Sequence, residues 1–433
     1  MVEHGAKGAG RGPGDHGRRP RRTGLALTAA TALALAASAC GSSSPTAARH
    51  HTASTTTTAA TGAAPASTTT VAKASAPASH STTPPSAACS TSGGPLSAAC
   101  DTKSPSLQVT GAGANSIQPF FTRAFYFYNQ ADHGVNVNYS PAGSSVGVSD
   151  IQQNTVNFGD SEIPIKTPAT GTGGAILQVP VDLGGVALSY NLPGVSGGLK
   201  LDGPTVAGIF LGTIKAWNDQ AIKALNPGVS LPSTAVVAVH RADSSGPGYD
   251  LDQYLIDTGG SAWTSSAAGT TPSTKWPVAS VGVGQQLNTG VANYIQQTPG
   301  AIGYVEYAYS LQAGFTNAAL KNKSGGFVTP SQSGIAAAGA QAAGLSASNF
   351  NIVNGPGSGT YPLANFSWTL IYQKQANATL GVVLGKLFDW VTTTGQNQAA
   401  ALGYSPLPAN VVALAHQTLL QLQNAAGKAL FSS

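Results

Sequence analysis

The stretch VAVHRADSSGPGYDL, residues 237–251, decides the fold that this sequence predicts. An apolar, β-rich run at 234–239 leads to Arg241, and residues 249–256 have a helical composition. Pro247 suits the first helical position, because a backbone N–H is not needed there. A strand, a polar turn and a helix N-terminus in succession leave N–H groups that can bind an anion. An ordinary strand-to-helix turn is the alternative interpretation, because the pattern is short.

Two other turns share this design. GAGANS, residues 111–116, and GSSVGV, residues 143–148, each follow a predicted strand and precede a predicted helix, as SSGPG at 244–248 does. In a parallel sheet all three turns would lie at the edge where the strands end, and this edge binds ligands in α/β folds. The sequence therefore predicts several N–H donors converging on one anion.

Side chains in these turns add to the predicted site. Ser116, Ser144 and Ser245 offer hydroxyl groups. Arg241 offers a full positive charge and a planar guanidinium group that suits oxyanions. Asp243, two residues further on, can hold that guanidinium group in place.

Strands alternate with helices along the chain, which predicts an α/β fold with a mainly parallel sheet. The predicted strands are 107–110, 135–139, 156–158, 184–190, 234–239, 301–307 and 365–372. The predicted helices are 120–128, a short helix after the turn at 142–147 that extends through Ile151, and 205–213, 216–225, 249–256, 291–297, 380–392 and 411–424.

The chain has 433 residues, of which only 9% are charged, and its formal net charge is +5. Most of this positive charge lies in residues 1–39, so the remaining chain has no basic face of the kind that nucleic acid needs. The low charge and the abundant Gly, Ser and Thr favour a protein outside the cytoplasm.

The N-terminus reads as an export signal. Residues 1–23 are basic, residues 25–39 are apolar, and Cys40 follows directly. The residues before Cys40 resemble a bacterial lipobox, except that Ala37 stands where Leu is usual. We expect residues 1–39 to be a lipoprotein signal peptide and Cys40 to anchor the chain to the outer face of the cell membrane. Plain cleavage and release is the alternative.

Residues 40–105 consist mostly of Ser, Thr, Ala and Pro. A segment with so few large apolar residues cannot bury a core, so we expect a disordered tether. Cys89 and Cys100 lie near its end and could form a disulfide outside the cell, while two free thiols are the alternative.

The folded part resembles the PstS family, the substrate-binding proteins of phosphate-specific ABC importers. The stretches that carry the resemblance include GAGA (111–114), NTVNFGDSEIP (154–164), GTIKAWND (212–219), HRADSSG (240–246) and PGAIGYVEYAY (299–309). It extends from about residue 106 to residue 423.

The resemblance implies a two-lobed α/β fold, the type 2 periplasmic-binding-protein fold, that closes over one phosphate ion. One lobe would combine residues 106–183 with 363–433, and the other would be 184–362. The implied function is binding of inorganic phosphate and delivery to the permease and ATPase components of an importer, by a protein that is not an enzyme. We expect a monomer without cofactor, metal or nucleic acid.

The resemblance also implies the phosphate ligands. The matching positions are Asn115, Ser116, Ser144, Glu162, Arg241, Ser245, Gly246 and Pro247, with Asp243 supporting Arg241. Four of these depart from the family pattern. Asn115 and Ser116 replace a Thr-Phe pair, Glu162 replaces Asp, and Pro247 replaces a Thr and so lacks its N–H and hydroxyl. We therefore expect phosphate binding weaker than is usual in the family.

A carboxylate in this position has a physical purpose. The charge of Glu162 would repel a fully deprotonated oxyanion such as sulfate, whereas it could accept a hydrogen bond from a P–OH group. A surface acid beside a turn is the alternative for Glu162.

Two other function classes remain open. Asp160-Ser161 after Gly159 resembles a hydrolase turn, but neither His133 nor His240 lies in a recognisable catalytic motif. A surface lipoprotein that acts as a phosphate sensor or scaffold, with weakened or altered anion binding, is the second hypothesis. The altered ligand positions and the long tether favour it.

Overall fold

The computed structural model describes residues 106–431, except residues 133 and 267. The predicted signal peptide, the predicted tether, Cys40, Cys89 and Cys100 lie outside the described residues, and so does His133. In the described part of the chain, no helix is long and apolar enough to cross a membrane.

The structure alternates short strands with helices. The strands are β1 (Leu107–Gly113), β2 (Val135–Ser140), β3 (Phe158–Ser161), β4 (Thr170–Gly171), β5 (Gly174–Tyr190), β6 (Lys200–Leu201), β7 (Val237–Arg241), β8 (Val283–Gln285), β9 (Ala301–Glu306), β10 (Thr316–Asn317), β11 (Ala319–Lys321), β12 (Phe327–Val328), β13 (Ala364–Tyr372), β14 (Lys374–Gln375) and β15 (Gln423–Asn424).

The helices complete the architecture. They are α1 (Gln118–Ala131), α2 (Ser144–Gln152), α3 (Gly203–Phe210), α4 (Gln220–Leu225), α5 (Gly246–Thr258), α6 (Ser261–Thr264), α7 (Leu287–Gln297), α8 (Tyr307–Ala313), α9 (Gln332–Ala340), α10 (Ala378–Thr392) and α11 (Ala409–Leu419), with 3-10 turns at Thr394–Gln398 and Ala400–Leu402.

The main sheet has the strand order β2-β1-β3-β13-β5-β9-β7-β8. β1 is parallel to β2 and β3, and β7 is parallel to β8 and β9. Between these groups β13 runs antiparallel to both β3 and β5, and β5 runs antiparallel to β9. The prediction of a mainly parallel sheet is therefore wrong at its centre, because two long strands of opposite direction join two parallel groups.

The two parallel groups point their C-terminal ends towards each other. Ser161, at the end of β3, pairs with Trp368 of β13, and Trp368 in turn pairs with Pro180 of β5. Glu306, at the end of β9, is level with Val186 of the same strand. The predicted turns therefore do not share one edge of a parallel sheet. They meet from two opposed edges, across the middle of β5.

Only the second half of β5 was predicted as a strand, since the sequence prediction begins at residue 184. Pro180 lies in the unpredicted half, and proline is confined in sheets to edges, first positions and bulges. The structure resolves this conflict, because the register of β13 against β5 shifts beside Pro180. Ser367 pairs with Asp182 and Trp368 pairs with Pro180, so the proline lies at a bulge.

The described residues contain two large apolar clusters. One is formed mainly by β1, α1, the first half of β5, α10 and α11, with Phe121, Phe158 and Phe388 in mutual ring contact. The other is formed mainly by the second half of β5, α3, α5 and β9, and Trp217, Trp263 and Tyr304 are fully buried in it. β5 supplies both clusters, so the two are joined through its centre.

Several predicted elements differ in their bounds. The predicted helix at 216–225 is helical only as α4, because Asp219 caps the helix by accepting a hydrogen bond from the N–H of Ala221 (2.8 Å). The predicted helix at 411–424 ends with α11 at Leu419. The strand predicted at 156–158 is β3, which begins at Phe158.

The helix predicted at 249–256 begins three residues earlier, as α5 at Gly246. Pro247 is therefore its second residue rather than its first. Proline is tolerated throughout the first helical turn, because the N–H groups there have no partner within the helix.

Candidate functional site

Arg241 is the last residue of β7 and is almost completely buried. Its guanidinium group donates two hydrogen bonds to Asp243, from Nε to Oδ1 at 2.7 Å and from the second nitrogen to Oδ2. Asp243 Oδ1 also accepts from the N–H of Leu287 (3.0 Å). Burial raises the pKa of Asp243, but the hydrogen bonds and charge of Arg241 outweigh it and hold the pKa below its usual value. The predicted pairing thus fixes a buried cation in a single orientation.

The N-terminus of α5 follows directly. Ser245 is its N-cap, and its Oγ accepts a hydrogen bond from the N–H of Gly248 at 3.1 Å. Because the oxygen is the acceptor, the hydroxyl proton remains available to an anion. Gly246, the first helical residue, is buried and faces Glu162. The Gly248 N–H is committed to the cap, and Pro247 has none to offer.

The turn before α2 approaches from the other parallel group. Gly143 is the N-cap of α2 and has φ +104°, a conformation that favours glycine. A Cβ at Gly143 would lie 3.2 Å from the carbonyl oxygen of Ser244 and 3.3 Å from Asp243 Oδ2. This close approach places the N-terminus of α2, with buried Ser144, against the loop that carries Asp243.

Asn115 and Ser116 lie in the turn after β1, and both are buried. The side chain of Asn115 accepts from the N–H of Asn288 (2.9 Å) and donates to Gln118 (3.1 Å). Its hydrogen bonds thus bind this turn to α7 and not to the other predicted site residues. The hydroxyl of Ser116 has no hydrogen bond of regular geometry within the described residues, although it is close enough to Glu162 to lower the pKa of that side chain.

Glu162 follows β3 and lies at the centre of this arrangement, buried to all but 3% of its surface. Its Oε2 accepts from the hydroxyl of Ser144 at 3.4 Å, and its Oε1 accepts from Nδ2 of Asn365 at 3.3 Å. Burial raises the pKa of Glu162 to about 7, although Ser116, Arg241, Ser144 and the backbone of Gly246 all act to lower it. The alternative of a surface acid is therefore wrong.

Asn365 and Asp250 are site residues that were not predicted from the sequence. Nδ2 of Asn365, on β13, donates to Asp250 Oδ2 at 2.6 Å as well as to Glu162. Asp250 is a buried residue of α5, and burial followed by the charge of Glu162 raises its pKa well above the usual value. The one signal in the sequence was a polar residue at the start of the strand predicted at 365–372.

Comparison with known proteins identifies the family of this chain. A model of the PBP superfamily domain matches residues 41–394. The phosphate-binding protein PstS of Xylella fastidiosa is 38% identical over 336 residues, which cover 77% of this chain and 86% of that protein. The chain belongs to the PstS family. The phosphate-binding protein PstS of Pasteurella multocida is 36% identical, over 75% of this chain and 93% of its own length.

Solved structures agree on the fold of this PstS-family chain. The phosphate-bound periplasmic phosphate-binding protein PfluDING aligns with a TM-score of 0.55 and 18% identity, over 72% of this chain and 93% of that one. A phosphate-binding protein from Stenotrophomonas maltophilia aligns with a TM-score of 0.54 and 19% identity, over the same shares. At such low sequence identity these structural alignments support the fold alone, and they confirm the predicted two-lobed α/β fold class.

Other buried carboxyl groups surround Glu162 and the candidate site. Burial raises the pKa of Asp160, Asp182 and Glu306 well above their usual values. The charge of Arg241 lowers the pKa of Glu162, and the charge of Glu162 in turn raises the pKa values of Tyr139, Asp160, Asp182, Asp250, Glu306, Tyr309 and Tyr404. Arg241 is the only cation in this set. The described residues contain no group of three or more His, Cys, Asp or Glu side chains placed to hold a metal.

The residues that suggested a hydrolase have structural contacts. Asp160 accepts hydrogen bonds from Ser367 (2.8 Å) and Thr369 (3.3 Å), which fixes it to β13. Ser161 Oγ bonds to both backbone groups of Ile163. His240 is stacked on Trp276, with ring centroids 6.2 Å apart. These contacts join Asp160, Ser161 and His240 to other partners and not to one another, and the comparisons match this chain to binding proteins.

Proposed function

We propose that this protein binds inorganic phosphate between its two lobes and delivers it to the permease and ATPase components of an ABC importer. The observation that carries the proposal is that Ser144, the charge of Arg241 and Gly246 at the N-terminus of α5 all meet at one buried position, that of Glu162, between two opposed strand edges. The relatives named PstS support the choice of phosphate. An ion gripped by both lobes would favour their closure.

Selection against sulfate would come from Glu162. A carboxylate accepts a hydrogen bond from a P–OH group, but it repels an oxyanion that carries no proton. The remaining donors, which are hydroxyls, an N–H group and Arg241, bind either ion. Glu162 therefore supplies the discrimination while Arg241 supplies charge.

Titration calorimetry with the purified protein tests the proposal. Phosphate should bind, and excess sulfate should not displace it. Arg241→Ala should nearly abolish binding, because it removes the one cation of the site and leaves the charge of Asp243 uncompensated. Arg241→Lys, the matched control, keeps the charge but loses the bidentate geometry, so it should bind more weakly than the parent and more tightly than the Ala variant. Undiminished binding in Arg241→Ala would place the ligand elsewhere.

The lobe boundaries belong to the proposal. Residues 106–183 with 363–433 would form one lobe and 184–362 the other, joined where β5 and β13 run side by side. Most residues of the two apolar clusters follow this division, although Phe366, Trp368 and Val411 of the first lobe pack in the cluster of the second. Small-angle scattering should show a smaller radius of gyration with phosphate than without it, and an unchanged radius despite measured binding would exclude closure.

We propose further that the protein is a monomer held outside the cytoplasm by lipid on Cys40. The basic and apolar residues before Cys40 support this placement. Cys40→Ala should release the protein or stall its processing. Recovery of the wild-type protein entirely from the medium would contradict the anchor.

A phosphate sensor or scaffold is the second candidate. It is favoured because Pro247 lacks an N–H and because the amide of Asn115 is engaged with Gln118 and Asn288. A deletion strain that keeps its phosphate uptake but loses its response to phosphate starvation would favour the sensor over the importer.

A further inference from the structure

The carboxylate of Glu162 lies among the groups that the proposed function assigns to phosphate. Ser144 donates its hydroxyl to Oε2, and the backbone of Gly246, the hydroxyl of Ser116 and the charge of Arg241 all act on the same carboxylate. These four groups come from three separate turns, two on one side of the site and one on the other. Their convergence on a side chain of the protein itself calls for an explanation.

The contact with α5 is close. A Cβ placed on Gly246 would lie 1.9 Å from Oε2 of Glu162 and 2.3 Å from its Cδ. The carboxylate therefore lies directly against the first residue of a thirteen-residue helix, where a negative charge is favoured by the helix dipole and by the N–H of Gly246. This is the position in which an anion bound at the end of α5 would be expected.

We propose that Glu162 is a tethered competitor of phosphate, whose carboxylate occupies the anion position at the N-terminus of α5 and must be displaced before phosphate binds. This inference rests on the proposed function. It assigns to Glu162 a role in setting affinity, in addition to its role in excluding sulfate. An aspartate at this position is one methylene shorter and could not reach as far towards Gly246.

The surroundings determine where a displaced carboxylate can go. Oε1 already accepts a hydrogen bond from Asn365, whose Nδ2 also donates to Asp250. Movement of Glu162 towards Asn365 brings its carboxylate closer to the buried carboxyl group of Asp250, whose pKa is already raised by burial and by the charge of Glu162, so this environment is unfavourable for a negative charge. Glu306 and Asp182 are further buried acids that act on the same region. A negative charge is therefore less favourable on that side of the site than against the N-terminus of α5.

The decisive experiment compares the parent with Glu162→Asp by calorimetry. In the parent, phosphate must first break the charge-assisted hydrogen bond between the Glu162 carboxylate and the N-terminus of α5, and such a bond corresponds to about ten-fold or more in affinity. The shorter aspartate does not make this bond, so Glu162→Asp should bind phosphate about ten-fold more tightly. Glu306→Asp is the matched control, because it shortens a second buried glutamate whose Oε1 bonds to the N–H of Gly185 (2.8 Å). It should not tighten binding.

Glu162→Gln adds a second readout. The amide cannot repel a deprotonated oxyanion, so this variant should bind sulfate, which the parent rejects. A crystal structure of the phosphate complex of the parent should show a phosphate oxygen against the N–H of Gly246 and the Glu162 carboxylate rotated away from it.

The outcomes separate the two proposals. Equal phosphate affinity in the parent and Glu162→Asp, with loss of binding in Arg241→Ala, would overturn the tethered competitor and leave phosphate binding intact. A complex in which Glu162 keeps its contact with Gly246 would do the same. Failure of every variant to bind phosphate would overturn both proposals. Tighter phosphate binding in Glu162→Asp, but not in Glu306→Asp, supports both phosphate binding and the tethered competitor.

Discussion

Gly246→Ala tests the interface between the lobes with a single added methyl group. The new Cβ would lie 1.9 Å from Oε2 and 2.5 Å from Cβ of Glu162. Rotation of the carboxylate could relieve the first contact but not the second, because Cβ is fixed to the backbone. The backbones of Gly246 and Glu162 must therefore separate, and such overpacking costs about 1–3 kcal/mol.

This cost should fall on binding more than on folding. Gly246 is the first residue of α5, where alanine is tolerated, and the apolar clusters on either side of the site are unchanged. The calculated cost corresponds to a loss of about five-fold to more than a hundred-fold in phosphate affinity. Calorimetry would measure it, and thermal unfolding would show whether stability is maintained.

Gly197→Ala is the matched control, because a Cβ at that glycine meets no atom within 4 Å. It should bind phosphate as the parent does. Parent-like affinity in Gly246→Ala would refute the reasoning, since it would mean that the ligand-bound protein does not bring Gly246 against the Cβ of Glu162, which stays in place when the carboxylate rotates away.

Three further predictions follow from the same contacts. Ser245→Ala removes the N-cap of α5 and should lower the free energy of unfolding by about 1 kcal/mol, measured by denaturant titration, while Ser245→Thr should retain most of it. Pro247→Thr should bind phosphate equally or more tightly in calorimetry, because it restores an N–H and a hydroxyl group, and weaker binding would contradict this. Burial raises the pKa of Glu162 to about 7 in the folded, ligand-free protein, whereas the unfolded chain releases this proton near the usual value of 4.5. Between pH 4.5 and pH 7 the folded protein therefore binds more protons than the unfolded chain, so the free energy of unfolding should fall as the pH rises through this range. Glu162→Gln should show a smaller fall in melting temperature over that range, and an identical pH profile would exclude Glu162 as a contributor.

The site could be predicted from the sequence wherever local chemistry decides the structure. Arg241 with Asp243, and Ser245 before a helix, depend on contacts between neighbours in the chain, and the structure shows both. Long, strongly patterned elements such as α1, α10 and β13 were predicted within a few residues. In these elements burial, periodicity and propensity all favour the same conformation.

The remainder depends on contacts between distant parts of the chain. Asn365 is 203 positions from Glu162 and 115 from Asp250, so no local pattern could reveal that it joins them. The first half of β5 contains Pro180, and only the register shift against β13 makes a strand acceptable there. The same pairing reverses the strand direction at the centre of the sheet, which a prediction from alternating elements could not anticipate.

The departures at Glu162 and Pro247 belong to one physical arrangement. Pro247 removes an N–H donor from the first turn of α5, so fewer groups there can bind an anion. The Glu162 carboxylate nevertheless lies against Gly246. A threonine at 247 would strengthen the end of α5 for the carboxylate and for phosphate alike. While Glu162 is present, the added donors would also stabilise its bound carboxylate, which phosphate must displace. Pro247→Thr alone should therefore tighten phosphate binding only modestly. With Asp at 162 the restored donors would serve phosphate alone. The two substitutions in combination should therefore tighten binding by more than the product of their separate effects, and the absence of such coupling in a double-mutant cycle would show that the carboxylate and phosphate do not share the end of α5.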